Sequence, residues 1–449
     1  MPLFTRRRLQ LMLDELYPVL GDAKARDLLN RLEDKRVEQA LPAEMELGLL
    51  WAIRQMGELE IEPEWWGGGN RPDAYTEQLV PGKPCAIEIA ATSDNAISGE
   101  EAMDNVAIVI GQFADRFYKG ISTFLYYRFR EEHDYENGSY FRRRLAPLDY
   151  ELSENAAKLI EDWIASGAAS GTKLHIVEPG LDVEIERSAH KQVRYHNVWS
   201  SMPPETHSIV DNPLYKLLKR KAGQLKGGHR DTLRFIFLTD VGSALLNRLG
   251  RFDEIDHTRR RVSGSEILSQ FMQAHKDRVD AIVVFSPQRP QQSWALNREI
   301  KWSATFFGQA GFNIPKEGLD RIVGTLPRPR FEGYQVRSLF RQGAFSPKHS
   351  GWYLGMSIEG TMKVFKANVP ARAFLDFLAG RISVDEFRHF MGQPKGEPNL
   401  FENWLNQGFT LSKIEMPPRN VDEDDDHLVL HFSDDPAARA LKINPPITE

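Results

Sequence analysis

The apolar positions of the first 57 residues recur with a helical period. Leu9, Leu11, Leu13, Leu16 and Leu20 form one apolar face, and a second helix is expected over residues 23–40. Pro42 precedes Ala43-Glu44-Met45-Glu46, which reads as a further helix start, a proline near a first turn followed by acids. The period then shortens. Residues 59–62 predict a short strand, Gly67-Gly68-Gly69-Asn70 a turn, and Arg71-Pro72-Asp73-Ala74-Tyr75 the entry to a second strand that breaks at Pro81-Gly82. Cys85-Ala86-Ile87-Glu88-Ile89-Ala90 is an apolar run with one carboxylate inside it. The order is helix, strand, turn, strand, strand.

Residues 91–211 fit less simply. A helix is expected over 100–118 and alternating strands over 124–129, 174–177 and 183–187, which reads as an insertion or excursion of the sheet. At Asn212-Pro213 a cap and first turn open a helix over 214–225, closed by Gly227-Gly228. Two nearly continuous apolar strands, 233–238 and 280–285, flank a helix at 265–274. Buried strands alternating with helices imply a sheet covered on both faces, hence an α/β fold. Beyond residue 300 prolines punctuate short segments, with a strand at 352–358, helices at 371–378 and 384–391, an acidic loop at 422–426 and a strand at 428–432. The expected organisation is an N-terminal helical segment (1–41), an α/β domain (42–300, with its insertion near 91–211) and a C-terminal α+β module (301–449).

The 449 residues are 41% hydrophobic and 27% charged, ordinary globular composition. A single cysteine, Cys85, excludes a disulfide-built secreted fold and points to a reducing compartment. Arg6, Arg7 and Arg8 are followed by an apolar stretch that Asp14 and Glu15 interrupt, so it reads as a helix of the fold rather than a signal peptide. No long uncharged apolar run is present, so no membrane span is expected and the protein reads as cytoplasmic. A net charge of -6 argues against a wholly basic nucleic-acid binder, though not against a local basic face.

The chemistry concentrates in three carboxylates. Glu46, with Glu44 beside it, lies on a helix; Asp73 follows a proline at the start of a strand; Glu88 lies on the next strand. A hairpin can bring Asp73 and Glu88 together. With the helix glutamate they would form a hard-oxygen cage suited to Mg2+ or Mn2+, which can activate water and stabilise charge on a phosphodiester. Each residue has a structural reading beside the functional one. Asp73 after proline is an ordinary turn residue. Glu46 serves equally as an acid favoured by the helix dipole. Glu88 inside an apolar run must be paired, solvated from one side, or functional.

This order of elements and carboxylates resembles the PD-(D/E)xK nuclease superfamily, over roughly residues 40–290. The resemblance implies a restriction-endonuclease-like mixed sheet flanked by helices. It also implies metal ligation by Glu46, Asp73 and Glu88, and phosphodiester hydrolysis of DNA or RNA, in a setting such as a bacterial restriction or anti-phage system. The family places a lysine two residues after the strand glutamate; this chain has Ala90 there. Members exist in which the basic group has moved to the next helix, and here that helix carries Lys216, Lys219, Arg220, Lys221 and Gln224. Lys221 and Gln224, three apart, share a helical face. Lys221 is the candidate for the missing charge; otherwise the site is metal-binding but inactive, and the chain is a nucleic-acid-binding or scaffold subunit. Lys216, Lys219, Arg220 and Gln224 are the candidate nucleic-acid contacts.

Arg142-Arg143-Arg144, Arg259-Arg260-Arg261 and Arg328-Pro329-Arg330 either extend a phosphate track or are solubilising charge. Trp65-Trp66 offers either base stacking or core packing. The C-terminal module is a candidate site for a protein partner. Zinc spacing, phosphate-loop and dinucleotide glycine signatures and a G-x-S-x-G elbow are missing from the sequence. The acidic run 422–426 lacks calcium-loop spacing and reads as a solvated loop.

Overall fold

A computed structural model describes residues 3–34, 37–67, 71–93, 100–136, 139–188, 198–199, 206, 208–227, 231–247, 249, 262–288, 300–330, 355–361, 364–393 and 399–438. The chain is an α/β protein that divides into two compact units, residues 12–341 and residues 3–11 together with 342–449.

The larger unit is built on a six-stranded mixed sheet with strands β1 (Glu60–Ile61), β2 (Ala74–Val80), β3 (Lys83–Thr92), β10 (Leu233–Asp240), β11 (Ala281–Gln288) and β12 (Lys301–Gly308), in that order. The first three form an antiparallel meander. Strand β10 lies parallel to both β3 and β11, and β12 closes the sheet antiparallel. Parallel neighbours need a crossover; α5 (Pro213–Gln224) leads into β10, and α6 (Ala244–Asn247) and α7 (Gly264–Ala274) lie between β10 and β11. Strand β12 pairs with β11 along its full length, so the boundary expected near residue 300 falls inside a hydrogen-bonded strand pair, and the compact unit runs on to residue 341.

Helix α5 forms where the sequence placed it. The Asn212 side chain accepts the Tyr215 amide at 2.8 Å and Pro213 occupies the first turn. Its stripe of Leu214, Leu218, Ala222 and Leu225 is buried against Ala86 and Ala90 of β3 and Ile236 and Leu238 of β10. Each such leucine contributes about 1.5–3 kcal/mol on burial. The opposite face of the sheet is covered by α2 (Val37–Arg54) and α8 (Lys316–Thr325). Pro42 lies inside α2, not ahead of it. Ala40, Leu41, Ala43, Leu47 and Leu50 are buried on both sides of the proline, so packing overrides the lost backbone hydrogen bond. The helix expected at 23–40 is likewise divided, because α1 (Arg6–Leu32) runs through a kink at Gly21 and stops before α2 begins.

The insertion forms its own layer. Helices α3 (Glu100–Phe117) and α4 (Glu154–Ala165) pack on a sheet ordered β7 (Lys173–Glu178), β8 (Leu181–Arg187), β4 (Leu125–Phe129), β9 (Val198–Trp199), around Val106, Ile110, Tyr127, Ile160 and Ile185. Strands β5 (Glu131–Glu136) and β6 (Ser139–Arg144) make a separate ribbon. None of these strands joins the six-stranded sheet.

The smaller unit is an antiparallel sheet ordered β13 (Ser357–Thr361), β14 (Val364–Pro370), β16 (His427–Asp434), β15 (Phe409–Glu415), with α9 (Ala371–Leu378), α10 (Val384–Phe390) and α11 (Leu400–Asn406). Phe365 stacks on Trp404 at 5.0 Å in its core. Of the strand expected at 352–358, positions 352–354 lie outside the described residues, and β13 begins at Ser357. The acidic loop is not simply solvated. Arg7 donates two bonds to Asp426 at 2.8 and 3.0 Å, Arg8 two to Asp422 at 2.8 Å each, and the Arg6 amide bonds Asp424 at 2.9 Å. The side chains of Arg7 and Arg8 are thus counter-charges of the acidic loop, and Arg6 adds its backbone amide. Among the described residues no helix is long and apolar enough to cross a membrane.

The Arg7 hydrogen bond holds Asp426 below its ordinary value of 3.8. A depressed carboxylate contributes stability above its unfolded-state pKa and loses it as pH falls through the folded one. Acidification below pH 3.8 is therefore expected to loosen residues 3–11, read as falling amide protection factors at Leu9 and Gln10. Arg7→Ala should show the low protection already at neutral pH; full protection in that variant would rule the ion pair out as the tether.

Candidate active site

Strand register brings two of the expected residues together. In the β2–β3 hairpin Ala74 pairs with Ile87 and Tyr75 with Ala86, so Asp73 stands opposite Glu88. Alternation along β3 puts Glu88 on the same face as Ala86 and Ala90, the face covered by α5. Asp73 is fixed further by accepting the Ile89 amide on Oδ2 at 2.7 Å. Directly opposed like charges are unfavourable; two unit charges 4 Å apart repel by roughly 4 kcal/mol at an effective dielectric of 20.

Lys221 relieves that repulsion. Its Nζ donates to Glu88 Oε2 at 2.7 Å and to Asp73 Oδ2 at 3.1 Å. Lys221 sits on α5 at the edge of the stripe formed by Leu218 and Ala222, with Ala86 and Ala90 beneath. The two small side chains leave room on that face for a lysine to reach between the carboxylates. The ammonium therefore reaches the pair from the facing helix. The site is nearly dry, with side-chain exposures of 13% for Lys221, 15% for Asp73 and 0% for Glu88. Burial and the Asp73 charge push the Glu88 carboxyl up to about 9, with Lys221 pulling only part of the way back. Burial alone would lower the Lys221 pKa, but the charges of Asp73 and Glu88 outweigh it and the net direction is upward. Glu88 Oε1 is buried without a hydrogen-bond partner among the described residues.

Glu46 is not part of this cluster. The Lys24 ammonium of α1 lies 2.8 Å from Glu46 Oε1 as an ion pair, and Arg31, two helical turns on, donates to Oε2 at 2.8 Å. Burial pushes Glu46 upward, but Arg31 and Lys24 outweigh it and hold the carboxyl below its ordinary range. Lys24 also bonds Glu62 Oε1 at 2.5 Å and lies near enough to Asp73 to feel its charge. The expected three-carboxylate cage therefore does not form. Among the described residues no group of three or more His, Cys, Asp or Glu side chains is placed to hold a metal ion. Asp73 and Glu88 remain as a pair, with a second ion cluster beside them. Glu44, next to Glu46, is fully buried.

Lys24 and Arg31 were not singled out by the sequence reading. Their seven-residue spacing marks one helix face, but nothing local marks Glu46 as their partner. Lys216, Lys219 and Arg220 are exposed on α5, and Lys216 bonds Asp211 at 2.6 Å. Gln224 is half-buried one turn beyond Lys221. Arg143 pairs with Glu132, and Arg259, Arg260 and Arg261 lie outside the described residues. Trp66 is buried in the core under α5, whereas Trp65 is 43% exposed, edge-on to Tyr75 at 4.7 Å with its indole N–H on Glu60 at 2.7 Å. Of the two tryptophans only Trp65 presents a ring to solvent.

Comparison of the chain with protein-family models, with curated proteins and with solved structures finds no match.

Proposed function

We propose that this protein is a metal-dependent nuclease, hydrolysing phosphodiester bonds of DNA or RNA on a restriction-endonuclease-like core made of α2, β1, β2, β3, α5 and β10. The observation that carries the reading is the contact of one buried lysine with two opposed carboxylates, Lys221 with Asp73 and Glu88. The order of elements supports it, since β3 and β10 are parallel neighbours joined through α5. Asp73 and Glu88 fit Mg2+ or Mn2+ as ligands, being hard oxygen donors that converge on one point, with a buried Glu88 oxygen left unpartnered. Such an ion supplies an acidified water and charge stabilisation at the phosphate.

The chain's own groups supply the rest. Lys221 provides a positive charge at the carboxylate pair, placed to orient an attacking water and to offset charge on the phosphate. The Asp73–Ile89 bond holds the hairpin edge rigid. Exposed Lys216, Lys219 and Arg220, with Gln224, offer contacts to backbone phosphates, which position a nucleic acid without reading its sequence. Work in a bacterial restriction or anti-phage system belongs to the same proposal.

A second reading is favoured by two observations. Ala90 stands where the lysine of the family pattern belongs, and Glu46 is neutralised by Lys24 and Arg31 instead of joining the pair. On this reading the protein keeps the fold but binds nucleic acid without cutting it, as a scaffold whose C-terminal unit meets a protein partner. The deciding experiment incubates the purified chain with single- and double-stranded DNA and with RNA in Mg2+ or Mn2+. Cleavage that EDTA abolishes is the expected result. Undiminished cleavage in chelator overturns the metal-dependent reading, and binding without cleavage under every metal selects the scaffold.

A further inference from the structure

The position of Lys221 has a consequence for how a metal could enter. Its ammonium is hydrogen-bonded to both carboxylates at once, at 2.7 and 3.1 Å, so it occupies the point on which their oxygens converge. A divalent ion bound by the same oxygens, at about 2.0–2.6 Å, would need that point. Lys221 and the ion cannot both hold it. An ammonium has no lone pair to offer a metal, and two cations a hydrogen-bond length apart repel. Glu46 cannot compensate by moving in as a third ligand, because Lys24 and Arg31 each hold one of its oxygens at 2.8 Å.

We infer that Lys221 is a resident cation of this site, exchanging with the divalent metal: the Asp73–Glu88 pair holds either the lysine ammonium or the ion, and loading requires Lys221 to swing out. The inference rests on the proposed metal-dependent reading and adds the order of events at the same site. Three features make the exchange feasible. Lys221 has a flexible four-carbon stem. Its side chain keeps 13% exposure, an edge through which to leave, whereas Glu88 keeps none. Asp73 is tied to the Ile89 amide, so that carboxylate stays in place when the lysine goes. After leaving, the ammonium remains tethered beside the pair, where a phosphate oxygen or an attacking water would be met.

The test measures metal binding rather than turnover. Mn2+ is titrated calorimetrically into the full chain, into Lys221→Met, into Glu88→Gln and into Lys226→Met. The last removes the same charge from an exposed position just past the end of α5. Lys221→Met is expected to bind Mn2+ about tenfold more tightly or better, since one nearby like charge shifts the equivalent proton equilibrium by about one to three logarithmic units. Lys226→Met should match the wild type, and Glu88→Gln should lose binding. A second measurement needs no variant at the site. Acetylation of Lys221 in the wild type, followed by mass spectrometry, should speed up on adding Mn2+ as the amine is displaced. It also decides the matter if Lys221→Met fails to fold.

Wild-type binding that depends on Glu88, with no gain in Lys221→Met and no added Lys221 reactivity, overturns the exchange and leaves the metal reading standing. Binding in Lys221→Met alone supports exchange and favours the scaffold. Binding in no form of the protein overturns the metal reading itself, and the exchange with it.

Discussion

Glu88→Gln is expected to abolish metal-dependent cleavage while the protein stays folded. The amide keeps the size of the side chain and removes the charge that a cation needs. The loss should reach roughly 10³-fold or more, at or beyond the upper end for removing a single electrostatic contact. Stability should move the other way. Burial and the Asp73 charge hold the wild-type carboxyl toward its neutral form, up to about 9. Glutamine presents a neutral group without a proton having to be bound, so the melting temperature at neutral pH should equal or exceed that of the wild type. Melting curves and cleavage assays on one preparation separate the cases. A variant that unfolds marks Glu88 as structural, and one that cuts at the wild-type rate removes it from the chemistry.

The Asp73–Glu88 pairing was legible because a hairpin is local. A turn at Pro81-Gly82 and two strand patterns are enough to set opposite positions, and register does the rest. Helix α5 was legible for the same reason, its cap, proline and apolar stripe all lying within one short segment. Lys221 could be nominated from its helical face, but its reach to Glu88 spans 133 positions and depends on how α5 lies across β3. The fate of Glu46 was not legible. Its partners Lys24 and Arg31 sit on a different helix, and a carboxylate beside a helix start looks the same whether it awaits a metal or two cations. The acidic loop shows the same blind spot. Asp422 and Asp426 are more than 400 positions from Arg8 and Arg7, and only the fold brings the charges together. Strand β12 was missed because its burial is irregular, with one buried side chain in eight, giving no clean alternation.

Lys221→Ala is expected to cost roughly 10²-fold or more in cleavage rate, the scale of one positioned acid–base or electrostatic group. Nucleic-acid binding should weaken only modestly, with the salt slope changing by about one if a phosphate contact goes with it. Stability carries an independent signature. Lys221 also pairs with Asp73, and removing one partner of a buried ion pair typically costs about 3–5 kcal/mol, a cost reduced here because Glu88 is already held toward its neutral form. Mg2+ should restore much of that stability by binding the folded state alone, so the variant's melting temperature should rise with metal more steeply than the wild type's. If Lys221 only touched backbone phosphate, binding and cleavage would fall together and low salt would rescue both. Moving the lysine back to the strand tests the geometry directly. Position 90 lies two residues beyond Glu88 on the same face, buried against α5 with 6% exposure. Lysine there overpacks the core by about 1–3 kcal/mol, part of which the space vacated in Lys221→Ala absorbs. The double variant Ala90→Lys with Lys221→Ala should therefore recover a measurable share of the lost rate, although it melts lower than the wild type. A folded double variant with no recovery would mean that the ammonium acts only from the helix side, where the leaving lysine and the incoming phosphate share one approach.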